Sequence, residues 1–158
     1  MSTNRLHQRK AMIALAAVSK NNVIGLQNKI PWKRKEDMRW FKRFTMDKTI
    51  VMGRVTYENM PVLSGRRLIV FSRNKDIQVN ENWPAAVVSD YREIPEDAIV
   101  CGGAQTYSHL LWHCSELYLT EIDQEVEGDT YMPAYKFKYR KWEVLESGDQ
   151  YRIVRYFN

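Results

Sequence analysis

Three short runs are apolar almost without interruption: residues 13–18 (IALAAV), 49–52 (TIVM) and 68–71 (LIVF). A strand with one wet face alternates polar and apolar residues; a strand without alternation must be covered on both faces. Such runs call for a parallel sheet sandwiched between other layers. Residues 85–88 and 98–101 add a fourth and a fifth strand, and 117–122 a sixth. Helical patterns intervene at about 35–45, from Arg54, and at 105–113. At the C-terminus, 142–145 and 151–156 are joined across Ser147-Gly148-Asp149-Gln150, which reads as an antiparallel hairpin. The expected fold is α/β: a mostly parallel sheet with an antiparallel C-terminal edge, in a single domain. A length of 158 residues suits one domain.

The first ten residues are polar and basic, and the apolar run from Ala11 to Val18 is better used as a buried strand than as the core of a signal peptide. Residues 1–11 are expected to be a flexible basic extension ahead of a domain spanning 12–158. No stretch of about 18 apolar residues is present to span a bilayer. Cys101 and Cys114 are the only cysteines and read as free thiols of a cytoplasmic protein; with three scattered histidines they make no metal-ligand pattern. The net charge of +5 predicts anionic partners, either nucleic acid or small molecules bearing phosphates and carboxylates.

Ligands of parallel sheets bind beyond the carboxyl ends of the strands, where Gly53-Arg54, Ser72-Arg73 and Gly102-Gly103 fall. Gly102-Gly103 permits close backbone approach and leaves helix N–H groups for a phosphate, although a Gly-Gly after a strand is also a common turn. Arg54 and the Ser72-Arg73 pair suit a phosphate monoester such as the 2′-phosphate of an NADP adenosine; singly, each is an ordinary solubilising arginine. Asp37 poses a sharper question. It continues the face of Trp40, Phe41 and Phe44, three, four and seven residues on, so an acid points toward the core. The helix macrodipole stabilises an acid in a first turn, but that suits Glu36 equally. A ligand offering two parallel N–H donors would give Asp37 a partner. Lys33, Arg34, Lys35, Arg39, Lys42 and Arg43 form a basic cluster, read as a solvated helix face because no nucleic-acid motif accompanies it.

In this order the pieces resemble the dihydrofolate reductase family: Ala16-Ala17-Val18, Val23-Ile24-Gly25, Ile30-Pro31-Trp32, Asp37-Met38 with Trp40-Phe41, residues 50–56, residues 63–66, Gly102-Gly103-Ala104, residues 119–122 and Glu127-Gly128-Asp129. The match runs from about Met12 to the C-terminus. The resemblance implies eight strands, about four helices, NADPH as cofactor and a dihydropteridine substrate. It implies reduction of 7,8-dihydrofolate to tetrahydrofolate for one-carbon metabolism and thymidylate synthesis, in a monomer that also takes antifolate-type inhibitors and binds neither nucleic acid nor membrane.

By the same resemblance, Asp37 would bind the pterin's exocyclic amino group and N3–H, with Thr120 supporting it and Trp32 beside it. Ala17, Ile30, Met38, Phe41, Cys101 and Tyr107 would line the pterin pocket. Leu63 would meet the benzoyl ring, Met60 would also contact the substrate, and Arg66 would hold the α-carboxylate of the glutamate tail. For the cofactor the resemblance implies Ala17, Ile24, Gly25 and Asn28 near the nicotinamide, and Gly53, Arg54, Val55, Thr56, Phe71, Ser72 and Arg73 on the nucleotide side. Cys101, Gly102, Gly103, Ala104, Gln105 and Thr106 would complete its cradle. The loop from Ile24 to Trp32 would close over the nicotinamide. The chain departs from the family between Ser89 and Ala98, which is shorter than the usual helix there. Val55 replaces a residue that is often basic, and Ser64 a common proline. The alternatives are the related reductase of riboflavin synthesis, against which Asp37 and Arg66 argue, and a basic nucleic-acid-binding module.

Overall fold

The computed structural model describes residues 12–32 and 34–158, so the expected basic extension lies outside the described residues. The continuous apolar runs become the middle of an eight-stranded sheet. Its strands are β1 (Met12–Ser19), β3 (Thr49–Gly53), β4 (Arg67–Phe71), β5 (Ala85–Val88), β6 (Ile99–Val100), β7 (Cys114–Ile122), β9 (Lys141–Gly148) and β10 (Tyr151–Phe157). Their order is β5-β4-β3-β6-β1-β7-β10-β9. Pairing is parallel from β5 to β7, and β10 runs antiparallel to both β7 and β9. A second sheet, not expected from the sequence, pairs β2 (Val23–Gly25) with β8 (Thr130–Tyr131).

Both faces of the central strands are buried, as their lack of alternation requires. Within β3, Val51 packs into one core cluster while Ile50 and Met52 pack into the other, all three fully buried. Helix α1 (Lys35–Thr45) lays Trp40, Phe41 and Phe44 on the second cluster. Helix α3 (Ala104–Leu110) puts Tyr107 and Leu110 into the first.

With α2 (Arg54–Asn59), three α-helices stand among the described residues, against about four expected. The segment between Ser89 and Ala98 supplies only a 3₁₀ turn, Tyr91–Glu93, whose Asp90 carboxylate accepts the Arg92 N–H at 2.9 Å. Pro95 follows immediately; it has no N–H to donate and disfavours helical backbone at Ile94, which is extended. The helix expected over 105–113 likewise ends at Leu110, and Leu111–His113 tightens into a 3₁₀ turn before β7. Cys101 and Cys114 are free thiols.

Candidate active site

Three strand ends meet side by side at one edge of the fold. Gly53 at the end of β3 is in register with Phe71 at the end of β4, so Arg54 and Ser72 leave the sheet as neighbours. On the other side of β3, the Gly53 N–H donates to the Gly102 carbonyl at 2.9 Å, drawing the turn after β6 against it. The glycines there are required by contact. A Cβ on Gly53 would stand 2.6 Å from Thr106 Oγ1, and one on Gly103 would stand 2.9 Å from Thr56 Oγ1. Gly102 has φ +116°, a region that side chains rarely adopt. Two threonine hydroxyls therefore occupy the space where side chains would have been, and the backbone between them stays bare. Gly103 caps α3 without a side-chain hydrogen bond.

The other wall comes from α1 and its approach. Gln27 and Asn28, both at positive φ, turn the chain between Leu26 and Lys29, whose backbones exchange two hydrogen bonds of 2.7 and 3.0 Å. The chain then passes through Ile30 and Pro31 to Trp32. Asp37, in the first turn of α1, is half-buried, and Thr120 of β7 is fully buried next to Ala17 of β1 in the sheet. Burial pushes the Asp37 carboxyl above the ordinary 3.8; the Thr120 hydroxyl, the Trp32 indole and the Arg34 cation act in the opposite direction. Thr120 Oγ1 and Trp32 Nε1 are buried and, among the described residues, complete no well-formed hydrogen bond. They stand close enough to Asp37 to bias its charge without satisfying it. Trp40 and Trp83 also leave indole N–H groups unpaired, but neither acts on Asp37. A half-buried carboxylate with two unsatisfied polar atoms beside it is suited to a polar ligand.

Cys101, Met60, Leu63 and Phe41 pack together on the second core cluster, which also holds Trp40 and Phe44. Burial pushes the Cys101 thiol up, well outside the reactive range. Tyr107 donates its hydroxyl to the Leu15 carbonyl at 2.7 Å. Ile30 and Met38 are largely exposed. Arg66 is held from three sides: Nε donates to Thr45 Oγ1 at 3.1 Å, one terminal nitrogen to the Ser64 carbonyl at 2.6 Å and the other to the Lys42 carbonyl at 3.1 Å. A guanidinium has five N–H donors, so one remains on each terminal nitrogen, the pair that grips a carboxylate bidentately.

On the nucleotide side, exposed Arg54 pairs with Glu58 at 2.9 Å, and Ser72 Oγ donates to the Asn74 carbonyl at 2.9 Å. Arg73, Val55 and Gln105 are exposed, while Thr56 and Ala104 are partly buried. Ile24 packs on the first core cluster and Gly25 is buried, paired with Thr130 across the small sheet.

A family model described as dihydrofolate reductase matches residues 11–153. The chain belongs to the dihydrofolate reductase family. Among curated members, the enzyme of Buchnera aphidicola subsp. Acyrthosiphon pisum is 40% identical over 135 residues, 83% of each chain. That of Neisseria meningitidis serogroup B is 36% identical over 153 residues, 90% of this chain and 94% of its own. A solved structure of the family's enzyme from Enterococcus faecalis, complexed with NADP(H) and RAB-propyl, superposes with a TM-score of 0.77 at 27% identity, covering 94% of this chain and 96% of that one.

Asp129 is a site residue that sequence reasoning missed: its carboxylate accepts the Gln27 N–H at 3.0 Å and its own N–H donates to the Gly25 carbonyl at 3.0 Å. Those bonds tie the loop before Trp32 to the segment after β7. Arg34 also departs from expectation. Lys35, Arg39, Lys42 and Arg43 are solvated as expected, but the Arg34 side chain is only 16% exposed. A cavity of about 920 Å³ lies elsewhere; Ser19, Asn22, Glu121, Tyr135, Tyr151 and Arg152 are among its walls and Asp37 is not.

Proposed function

We infer that this chain catalyses the NADPH-dependent reduction of 7,8-dihydrofolate to 5,6,7,8-tetrahydrofolate, with Asp37 as the group that recognises the pterin. One observation carries the assignment of the site: a half-buried carboxylate on which Thr120 and Trp32 both act, in a fold whose neighbouring strand ends carry bare glycines. Ionised, Asp37 would accept the exocyclic amino group and N3–H of the pterin in parallel, fixing the ring's orientation. Thr120 would steady the carboxylate from behind and Trp32 from the loop side. Arg66 would hold the α-carboxylate of the glutamate tail with its two remaining donors, and Phe41, Met60 and Leu63 would receive the benzoyl ring.

The glycine cradle fits NADPH. Thr56, Gly102, Gly103, Ala104 and Thr106 would hold the pyrophosphate, and Arg54, Ser72 and Arg73 the 2′-phosphate, with Arg54 shared with Glu58. Bound there, the reduced nicotinamide supplies a hydride to C6 of the dihydropterin. N5 gains its proton from solvent, and the negative field of Asp37 favours that protonated ring. Ala17, Ile24 and Gly25 would cover the ring face and exclude water. The protein acts as a cytoplasmic monomer on small molecules, apart from nucleic acid and membranes; among the described residues no helix is long and apolar enough to cross a membrane.

The decisive assay follows NADPH absorbance after dihydrofolate is added to the folded protein. Consumption that needs dihydrofolate supports the reading, and none with dihydrofolate, but turnover of a ribosyl-pyrimidine, replaces it. Two variants probe the ends of the site. Arg66→Lys is expected to raise KM for dihydrofolate about tenfold or more, the worth of a charge-assisted hydrogen bond. It should spare a pteridine that lacks the glutamate; equal losses on both would remove Arg66 from tail binding. Arg54→Ala is expected to erode the preference for NADPH over NADH, and an unchanged ratio of their kcat/KM values would move the 2′-phosphate elsewhere.

A further inference from the structure

From Tyr135 to Lys141 the chain reads YKFKYRK, aromatic and basic side chains in near alternation, and the fold sorts them. Tyr135 and Tyr139 are buried: Tyr135 meets Tyr156 of β10 edge-on, with 5.2 Å between ring centres, and the Tyr139 hydroxyl donates to the Cys114 carbonyl at 3.0 Å. The Lys138 N–H donates to the Tyr135 carbonyl at 3.0 Å, closing a turn between the two anchors. Phe137, in that turn, is 66% exposed. Trp112, in the 3₁₀ turn after α3, is 63% exposed, and its ring centre lies 5.5 Å from that of Phe137. Lys138 Nζ donates to the Trp112 carbonyl at 2.7 Å and lies 5.4 Å from the centre of the Trp112 ring, so the two turns are fastened together. Between them is a hollow of about 220 Å³ with Ser108, Leu111, Trp112, Pro133, Ala134 and Phe137 among its walls. Pro133, Ala134 and Phe137 also line the cavity of about 920 Å³, so the turn is a ridge between two hollows.

We propose that the face carrying Trp112 and Phe137 docks an acidic segment of a partner protein, which seats one apolar side chain in the hollow and lays its carboxylates on the surrounding cations. Paired exposed aromatics beside a hollow differ from apolar residues scattered singly over a surface. Both rings stand on turns already fixed by hydrogen bonds, so little freedom is lost when they are covered, and rigid aromatics of this kind make the anchors of protein interfaces. The rim is basic. Lys136, Arg140 and Lys141 are exposed, and none has an acidic partner among the described residues. Met12 pairs with Cys114, two residues beyond Trp112, and residues 1–11 ahead of it include Arg5, Arg9 and Lys10 and no acid. A basic segment gains nothing from a basic rim, so those residues suit the hollow less well than an acidic partner does. The hollow is smaller than the about 300–1,000 Å³ of small-molecule sites and fits a single large side chain. A nucleic-acid strand needs successive stacking platforms along a cationic groove, whereas here one pair of rings, tilted by 54°, stands beside one hollow and Tyr139 is buried. A lipid surface needs an apolar face broader than two side chains.

The test is an NMR titration of the full chain, labelled with nitrogen-15, with a capped peptide carrying a Leu-Phe pair between two runs of glutamate. The signals followed are the Trp112 indole N–H, assigned by its loss in Trp112→Phe, and the Phe137 amide. Both are expected to shift saturably. Peptides with glutamine in place of glutamate, or serine in place of the Leu-Phe pair, should bind at least about tenfold more weakly. Phe137→Ser should weaken binding of the first peptide about tenfold or more, and Lys136→Glu about three- to tenfold. Both side chains are exposed and outside the candidate site, so turnover of dihydrofolate should be unchanged in either variant. The proposal is overturned by the absence of a shift at these two signals, by equal binding of the glutamine peptide, or by unaltered affinity in Phe137→Ser. It is also overturned if a single-stranded oligonucleotide of equal charge or phosphatidylserine vesicles move the same signals at least as strongly. Without peptide, a dependence of both signals on protein concentration would put a second copy on this face, and their movement in Leu6→Ser would put the chain's own first residues there; either replaces the proposal.

Discussion

Asp37→Asn is expected to cut the turnover of dihydrofolate by about 10²–10³-fold, the loss usual when one preorganised electrostatic group is removed, and at the same time to make the protein more heat-stable at neutral pH. The two effects share a cause. Burial raises the Asp37 carboxyl above its ordinary 3.8, so the folded chain holds that proton more tightly than the unfolded chain does. Ionising it in the folded state therefore costs stability. The penalty is complete above the folded-state pKa and disappears in acid below 3.8, where both states are protonated. Asn has nearly the same shape and no charge. Its stabilising effect should be seen above the folded-state pKa and should fade as the pH falls. NADPH affinity should change less than about twofold, because the glycine cradle is built from other strand ends. Melting curves at neutral and acid pH, NADPH titrations and turnover together check the account. Activity and NADPH affinity falling in parallel, with a lower melting temperature, would make Asp37 a structural residue.

Much of this was legible because it followed from local pattern. Continuous apolar runs gave the central strands, since a strand buried on both faces has no polar side to betray its register. The α1 stripe of Trp40, Phe41 and Phe44 was legible for the same reason, and Asp37 stood out as the acid that broke it. What escaped detection depends on partners distant in sequence. Strands β2 and β8 have three and two residues, too few for any periodicity, and exist because Asn22 and Met132 bond each other across 110 positions. Arg34 sits in a charged run where solvation is the default, and only the hairpin more than a hundred residues later gives it cover. The strand-end glycines could be seen, but that Thr106 and Thr56 fill the space beside Gly53 and Gly103 could not.

Gly128→Ala is expected to loosen the loop before Trp32 and slow hydride transfer while leaving the sheet standing. Gly128 lies between β7 and β8. A Cβ there would come 2.1 Å from Val23 Cγ1 and 2.9 Å from the Gly25 carbonyl oxygen. Val23 cannot withdraw: it is fully buried and β-branched, with one favoured rotamer, and the Gly25 oxygen is backbone. The segments must separate, and overpacking of this kind costs about 1–3 kcal/mol. Separation acts where the loop is sewn down: the Asp129 N–H to Gly25 carbonyl bond, the Gln27 N–H to Asp129 carboxylate bond and the pairing of Gly25 with Thr130. Since Trp32 and Asp37 follow that loop directly, their approach to a bound pterin loses its support. Amide exchange should quicken at Gln27 and Asp129 but not at Ile50 or Val51 in the sheet centre. The melting temperature should fall by roughly 2–4 °C for each kcal/mol. Single-turnover reduction should slow by more than ligand affinity weakens, because closing the loop serves the reacting geometry rather than the initial encounter. Unchanged exchange at Gln27, with a single-turnover rate within about twofold of the unaltered protein, would mean that the contact between β2 and the Gly128 turn has no part in holding the site closed.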